Sequence, residues 1–284
     1  MHKIITAAIS VFCALFFLNC TTSQKLLIVQ DYQIGTAKIK QDTVIKIILI
    51  TDLHSEVYEH EDQPIINKIN AVNPDLIMLA GDIVDDKTPI AGAALFLSLI
   101  KDIAPIYYVT GNHEYYSNKI PQIIEMLQSF GVHILSDNFV QIQINGNDII
   151  LAGIEDPAIK KYYNKSYTTE NIKTMLAGIS TLTDSKYAIL LIHRPEISLT
   201  YKNNFDLLLS GHAHGGQIRT KVFKNGLYAP GQGFFPKYTG GLYNLDDDNQ
   251  AATLIVSAGL STKRPRFSRK GNPPEIVLIR IYGF

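Results

Sequence analysis

Five short runs of this chain are almost wholly apolar, and each ends abruptly in a cluster of Asp, Asn or His. The runs are Val44–Thr51, Asp75–Ala80, Ile106–Thr110, Tyr187–Ile192 and Phe205–Ser210. Runs of this length without polar alternation are the pattern of strands covered on both faces. Helical stretches with start signals lie between the first three and after the third: Gln63-Pro64, Thr88-Pro89, and Ser117-Asn118 ahead of Pro121. Gln141–Gly153 differs, because two strand-like runs flank Asn145-Gly146, a hairpin signal. Further strands are expected at Gln217–Phe223, Ala252–Ser257 and Ile276–Ile281. There is no repeat, low-complexity tract or composition break. The pattern predicts an α/β fold with at least two sheets in a single domain, spanning residues 44–284 behind an N-terminal linker and edge strand at 21–43.

Composition removes several alternatives. With 26 basic and 26 acidic side chains the formal net charge is zero, which argues against a nucleic-acid partner. At 46% hydrophobic and 18% charged, the 284-residue chain is not disordered. Its two cysteines, Cys13 and Cys20, lie within the first twenty residues, so neither a disulfide framework nor a Cys-rich zinc module is available to the rest.

Residues 1–20 read as an address. Met1-His2-Lys3 is basic and Ile4–Leu18 almost wholly apolar. That is shorter than the ~20 residues of a spanning helix, which favours a signal-peptide core. The run ends at Asn19-Cys20 and continues as polar Thr21-Thr22-Ser23-Gln24, resembling a bacterial lipoprotein signal in which Cys20 is the lipidation site. Three readings stand: lipoprotein facing outside the cytoplasm, uncleaved N-terminal anchor, and plain secretory signal. The first two make the protein membrane-associated, with a membrane surface as its partner through the N-terminus.

The polar clusters that end the five runs are Thr51-Asp52-Leu53-His54, Gly81-Asp82-Ile83-Val84-Asp85, Gly111-Asn112-His113-Glu114, His193-Arg194-Pro195 and Gly211-His212-Ala213-His214. In α/β sheets, function gathers outside the carboxyl ends of the strands. Five of the eight histidines fall in these clusters. Each piece alone has a plain structural role open to it: Asp52 and Asp82 as helix caps, Gly111-Asn112 as a turn, His193 as a buried edge histidine. Helix capping alone would not assemble the ordered set. Oxygen and imidazole donors without thiolate suit Mn, Fe or Zn, with Mn favoured. His2, His60 and His133 lie outside the set.

The ordered set resembles the calcineurin-like metallophosphoesterases from Val44 onward. Gly215-Gly216-Gln217, Phe235-Pro236-Lys237-Tyr238, Gly241-Leu242-Tyr243, Ser257-Ala258-Gly259-Leu260 and Pro274-Glu275-Ile276 resemble a bacterial membrane-associated branch similar to UDP-2,3-diacylglucosamine pyrophosphatases and related phosphodiesterases. The resemblance implies a four-layer α/β/β/α sandwich with two mixed sheets and a site for two divalent metal ions. It implies Asp52, His54, Asp82 and His214 on one ion, and Asp82, Asn112, His193 and His212 on the other. His113 would face an anionic phosphoester substrate as general acid, oriented by Asp85. Two ions ~4 Å apart can share a water and lower its pKa, and they leave the site net positive.

Lys263, Arg264, Arg266, Arg269 and Lys270 crowd one short stretch. They read as a solvated loop or as anion-holding groups, with Lys263, Arg264 and Arg266 the candidates for substrate. The expected reaction is hydrolysis of a phosphodiester or pyrophosphate by a metal-bridging hydroxide. A lipid-linked or UDP-sugar-lipid substrate, as in lipid A biosynthesis, fits the resemblance, although an exported lipoprotein would meet extracytoplasmic phosphodiesters instead. The alternatives are a phosphomonoesterase and a membrane-tethered metal-binding protein without turnover.

Overall fold

The computed structural model describes residues 27–57, 62–163, 169–183, 185–245, 252–262 and 269–284. Met1–Cys20, with the signal and lipidation readings, lies outside the described residues, as do Lys263, Arg264 and Arg266. The strands are Ile28–Thr36 (β1), Val44–Ile50 (β2), Leu76–Ala80 (β3), Ile106–Val109 (β4), His133–Ile134 (β5), Asn138–Ile144 (β6), Asn147–Ile154 (β7), Tyr187–Ile192 (β8) and Leu207–Ser210 (β9). They continue as Tyr228–Ala229 (β10), Gly233–Phe234 (β11), Gly241–Asn244 (β12), Thr253–Val256 (β13) and Glu275–Gly283 (β14). The helices are Asp62–Val72 (α1), Ala91–Ile100 (α2), Asn112–Tyr116 (α3), Ile120–Ser129 (α4), Ile159–Tyr162 (α5), Glu170–Ser180 (α6) and Pro195–Ser198 (α7).

Two six-stranded sheets result, ordered β1-β14-β2-β3-β4-β5 and β12-β13-β9-β8-β7-β6. Both are mixed. In the first, β2 to β5 are parallel and β14 runs antiparallel to β2. In the second, β7, β8, β9 and β13 are parallel, with antiparallel β6 and β12 at the edges. Asn145 and Gly146 both take positive φ, 50° and 75°, and close the β6–β7 hairpin.

Alternation along the apolar runs sorts side chains into layers. Ile45, Ile47 and Leu49 of β2 meet Tyr187, Ile189 and Leu191 of β8 in a core between the sheets. Ile48 and Ile50 point the other way, into a core with Ile65 and Ile69 of α1, Phe96 and Leu97 of α2, and Ile123 and Leu127 of α4. Ala188, Leu190 and Ile192 face a third core with Ile172, Met175 and Ile179 of α6. Among the described residues these three cores separate four layers, so the molecule is an α/β/β/α sandwich in one domain.

The strand expected at Gln217–Phe223 is not formed. Within it, Ile218 alone makes a bridge, to Lys270. The preceding Gly215, Gly216 and Gln217 all take positive φ, which curls the chain away from extended geometry. His133, to which no function was attached, stacks on Tyr107 at 4.9 Å.

Candidate metal centre

The parallel strands deliver their polar ends to one edge of the sandwich, where the loops tie to each other. Asp52 N–H donates to Gly81 O (3.1 Å), His54 N–H to Asp82 O (2.9 Å) and Gly211 N–H to His193 O (3.0 Å). Across 160 residues, His212 N–H donates to both carboxylate oxygens of Asp52, at 3.2 and 3.1 Å. Asp52, His54, Asp82, His212 and His214 all have φ between 46° and 66°. Non-glycine residues in the left-handed region carry strain that the surroundings must hold. Gly81, at φ 84°, is a glycine for a second reason: a Cβ there would lie 2.6 Å from His193 Nδ1.

Among the described residues four His/Asp groups are close enough to hold an ion. Two include His113, with His54 and Asp82 or with Asp85 and Asp86, and the other two lie on either side of Asp82. Asp52, His54 and His214 present ligand atoms within 4.8 Å of one another, and so do Asp82, His193 and His212. His214 Nε2 is 3.7 Å from Asp52 Oδ1. One oxygen of Asp82, Oδ2, faces both groups, 3.8 Å from His54 Nε2 and 3.2 Å from His193 Nε2. Its other oxygen accepts from His113 N–H at 2.8 Å. His193 Nδ1 is turned to Ala80 O (2.8 Å), which directs Nε2 toward the centre, as second partners of metal-binding histidines do. Asn112 is 5% exposed. Its Oδ1, His54 Nε2, His212 Nε2 and His214 Nδ1 are buried without a hydrogen-bond partner. Buried polar atoms without partners are costly, and lone pairs of this kind fit divalent cations.

Electrostatics follow from the same geometry. Burial acts to raise the Asp82 pKa, but His193, His113 and His54 outweigh it and hold it well below its ordinary value. Burial opposes charge on His193 too, yet Asp82 and Asp52 push its pKa up to about 10. His212 and His214 are pushed well below their ordinary value by burial and by neighbouring histidines, leaving neutral imidazoles.

His113 stands at the rim. Its Nδ1 is 3.2 Å from Asp85 Oδ1 and 2.6 Å from Asp86 Oδ1. The shorter contact is to Asp86, a residue the sequence reading passed over, while Asp85 also lies 3.2 Å from His54 Nδ1. Burial lowers the His113 pKa, but Asp82, Asp85 and Asp86 raise it to about 9. Asp85 itself sits far below the usual carboxylate range, because contacts with His113, His54 and Thr88 outweigh its burial.

Two groups beside the centre, Glu114 and Arg194, have roles that their sequence positions alone do not reveal. Glu114, fully buried, accepts from Gly111 N (2.8 Å), Asp82 N (3.0 Å) and Val84 N (2.9 Å), clamping the β3 and β4 loops together. Arg194 is fixed by a bidentate pair with Asp156, at 2.6 and 3.0 Å. It lines a cleft of about 390 Å³ with Asn112, His113, Tyr116, Tyr228 and Pro230. Position was the available signal: Glu114 belongs to the Gly-Asn-His-Glu cluster, and Arg194 follows His193 directly. Arg269 corrects the solvated-loop reading at its own position. It is 2% exposed and donates to Ala258 O (2.6 Å) and Gly259 O (3.2 Å), supporting a turn against Asp52.

Residues 45–216 match the family model for calcineurin-like phosphoesterases, and the chain belongs to that family. It is 30% identical over 275 residues to an uncharacterised metallophosphoesterase of Campylobacter jejuni, covering 95% of this chain and 67% of that protein. An Aquifex aeolicus metallophosphoesterase is 29% identical over 266 residues, covering 90% and 92%. Among solved structures, Haemophilus influenzae NAD nucleotidase superposes with a TM-score of 0.57 at 15% identity, over 78% of this chain and 46% of that one, a likeness of fold alone. The protein is a metal-dependent phosphoesterase, and the family and the His/Asp clusters together indicate a dinuclear divalent site. Among the described residues no helix is long and apolar enough to cross a membrane.

Two measurements test the centre. Glu114→Ala strands three buried N–H groups and should cost at least about 2 kcal/mol in denaturant unfolding while weakening metal uptake; Glu114→Gln should lose less. Because imidazole must be neutral to ligate, ion binding should release protons. Calorimetry in buffers of different ionisation enthalpy should show that release, with metal affinity falling as pH falls.

Proposed function

We propose that this protein hydrolyses a phosphodiester or pyrophosphate bond at a dinuclear centre. Asp52, His54, Asp82 and His214 would hold one ion, and Asp82, Asn112, His193 and His212 the other. The observation that carries the reading is Asp82 Oδ2, a single buried oxygen facing an imidazole nitrogen of each donor group. Ions in these positions supply Lewis acidity and activate water near neutral pH. Nitrogen and oxygen donors without thiolate suit Mn, Fe or Zn, and Mn is the ion proposed for the assays.

The remaining roles belong to the chain's own side chains. Asp85 and Asp86 hold His113 as an imidazolium at the cleft rim, where it protonates the leaving oxygen as general acid. Arg194, locked by Asp156, sets a fixed cation in the cleft for a phosphate oxygen. Tyr116, Tyr228 and Pro230 line the cleft together with His113, and a second ester substituent would lie among them. The substrate class we favour is a membrane-borne phosphodiester or pyrophosphate. Its support is the apolar run Ile4–Leu18 with Cys20, and the sequence likeness to the UDP-2,3-diacylglucosamine pyrophosphatase branch.

Asp82→Asn should abolish Mn²⁺-dependent hydrolysis, and wild-type turnover in that variant would refute the shared ligand. His113→Asn should retain two ions per chain and lose rate, most on substrates with poor leaving groups; halved metal content would make His113 a ligand instead. The discriminating assay is a Mn²⁺ panel of an aryl phosphomonoester, an aryl phosphodiester, a cyclic nucleotide and a lipid-linked pyrophosphate. Preference for the monoester would overturn the diesterase reading.

A further inference from the structure

In a chain of zero net charge, Leu207–Leu245 contains four basic residues and no Asp or Glu. Arg219 turns inward and donates to Gly215 O at 2.7 Å. Lys221, Lys224 and Lys237 are exposed, around a knob built on the β10–β11 hairpin. At its crown Val222 is 82% exposed, Phe234 60% and Phe235 69%. The rings form a continuous ridge: Phe223 to Phe235 at 5.7 Å, Phe235 to Phe234 at 6.5 Å, and Phe234 to Tyr228 at 5.4 Å. Tyr228 also lines the cleft of the metal centre, so the ridge runs outward from the cleft.

This exposure is built in. Gln232 Oε1 accepts from Lys237 N and Tyr238 N, its Nε2 donates to Tyr238 O, and Phe235 N–H donates to Leu227 O at 3.0 Å. Phe235 is held at φ 56°, an unfavourable conformation for a bulky residue. Apolar side chains scattered singly on a surface need no explanation, whereas contiguous exposed rings in a segment that also exposes three lysines mark an interaction surface.

We propose that this knob is a docking surface for an anionic phospholipid bilayer. Val222, Phe234 and Phe235 enter the headgroup region, where aromatic rings are favoured, and Lys221, Lys224 and Lys237 pair with lipid phosphates. The sign of the charge selects this occupant: a second copy meeting knob to knob would bring six lysines together. Docking presents the cleft at the membrane, so the inference goes beyond hydrolysis and does not rest on turnover.

The sequence contains no tryptophan, so Phe235→Trp in the full chain carries a unique indole. With vesicles of phosphatidylcholine and phosphatidylglycerol, its emission should shift to the blue and be quenched by brominated acyl chains. Phosphatidylcholine alone should leave it nearly unchanged. In the background Lys221→Gln/Lys224→Gln/Lys237→Gln, apparent affinity should drop roughly fivefold for each lysine. Phe234→Trp provides the same reading should Phe235→Trp fold poorly. An indole that stays water-like on anionic vesicles, or inserts equally without phosphatidylglycerol, overturns the proposal. So does blue emission without lipid that grows with protein concentration, which would mean a second copy covers the knob. Mn²⁺-dependent hydrolysis of a soluble aryl phosphodiester should be unchanged in these variants. Its absence in the parent chain as well would refute the hydrolase reading and leave the fluorescence result standing.

Discussion

A carboxylate with almost no water around it must be neutralised by the protein or by something the protein holds, and Asp82 is such a group. It is 1% exposed, at the end of a central strand. Leaving it uncompensated would cost several kcal/mol, a large fraction of the stability of a typical domain. The arrangement of the strand ends follows from that constraint. His193 and His54 approach one oxygen, the backbone of His113 caps the other, and Glu114 binds the Asp82 N–H from behind. Such close approach is possible because the loops bend through left-handed residues and past Gly81, which has no side chain to obstruct His193.

The centre also divides its chemistry between the two sheets. Asp52, His54, Asp82 and Asn112 follow strands of the first, while His193, His212 and His214 follow strands of the second. The core between the sheets, where Leu49 and Leu191 meet the same cluster, therefore sets the distance between donor groups. Ions shared across that seam would cross-link the sandwich at its edge, and so bind most tightly when both sheets are fully docked.

Much of this was legible in the sequence, for identifiable reasons. Short apolar runs that end in Gly, Asp or His are the pattern of strands with both faces covered, and β2, β3, β4, β8 and β9 follow them within a few residues. Asn145-Gly146 carries its hairpin geometry in its residue types. What stayed hidden were pairings that only three dimensions create. Asp86 is adjacent to Asp85, and spacing does not say which carboxylate a distant imidazole will meet. Glu114 reads as the end of a motif until three N–H groups are seen converging on it. Arg269 belongs to a basic run, and its burial comes from carbonyls of the Ala258-Gly259 turn rather than from its neighbours in sequence. Gln217–Phe223 has strand-like composition, but the glycines before it decide its path.

The sheet order carries one further consequence, for how the chain is made. Among the described residues β1 pairs only with β14, residue for residue from Ile28 with Glu275 to Thr36 with Gly283. During synthesis the first strand therefore waits, without a sheet to join, until the last one exists. An unpaired strand of nine residues is an open template for other chains over that interval. The burial pattern of β1 alternates between half-buried and exposed positions along Asp31–Thr36, with Asp31 and Gln33 on the exposed side. A strand that must spend time alone is thus kept polar on one face, which guards the interval before its partner is made.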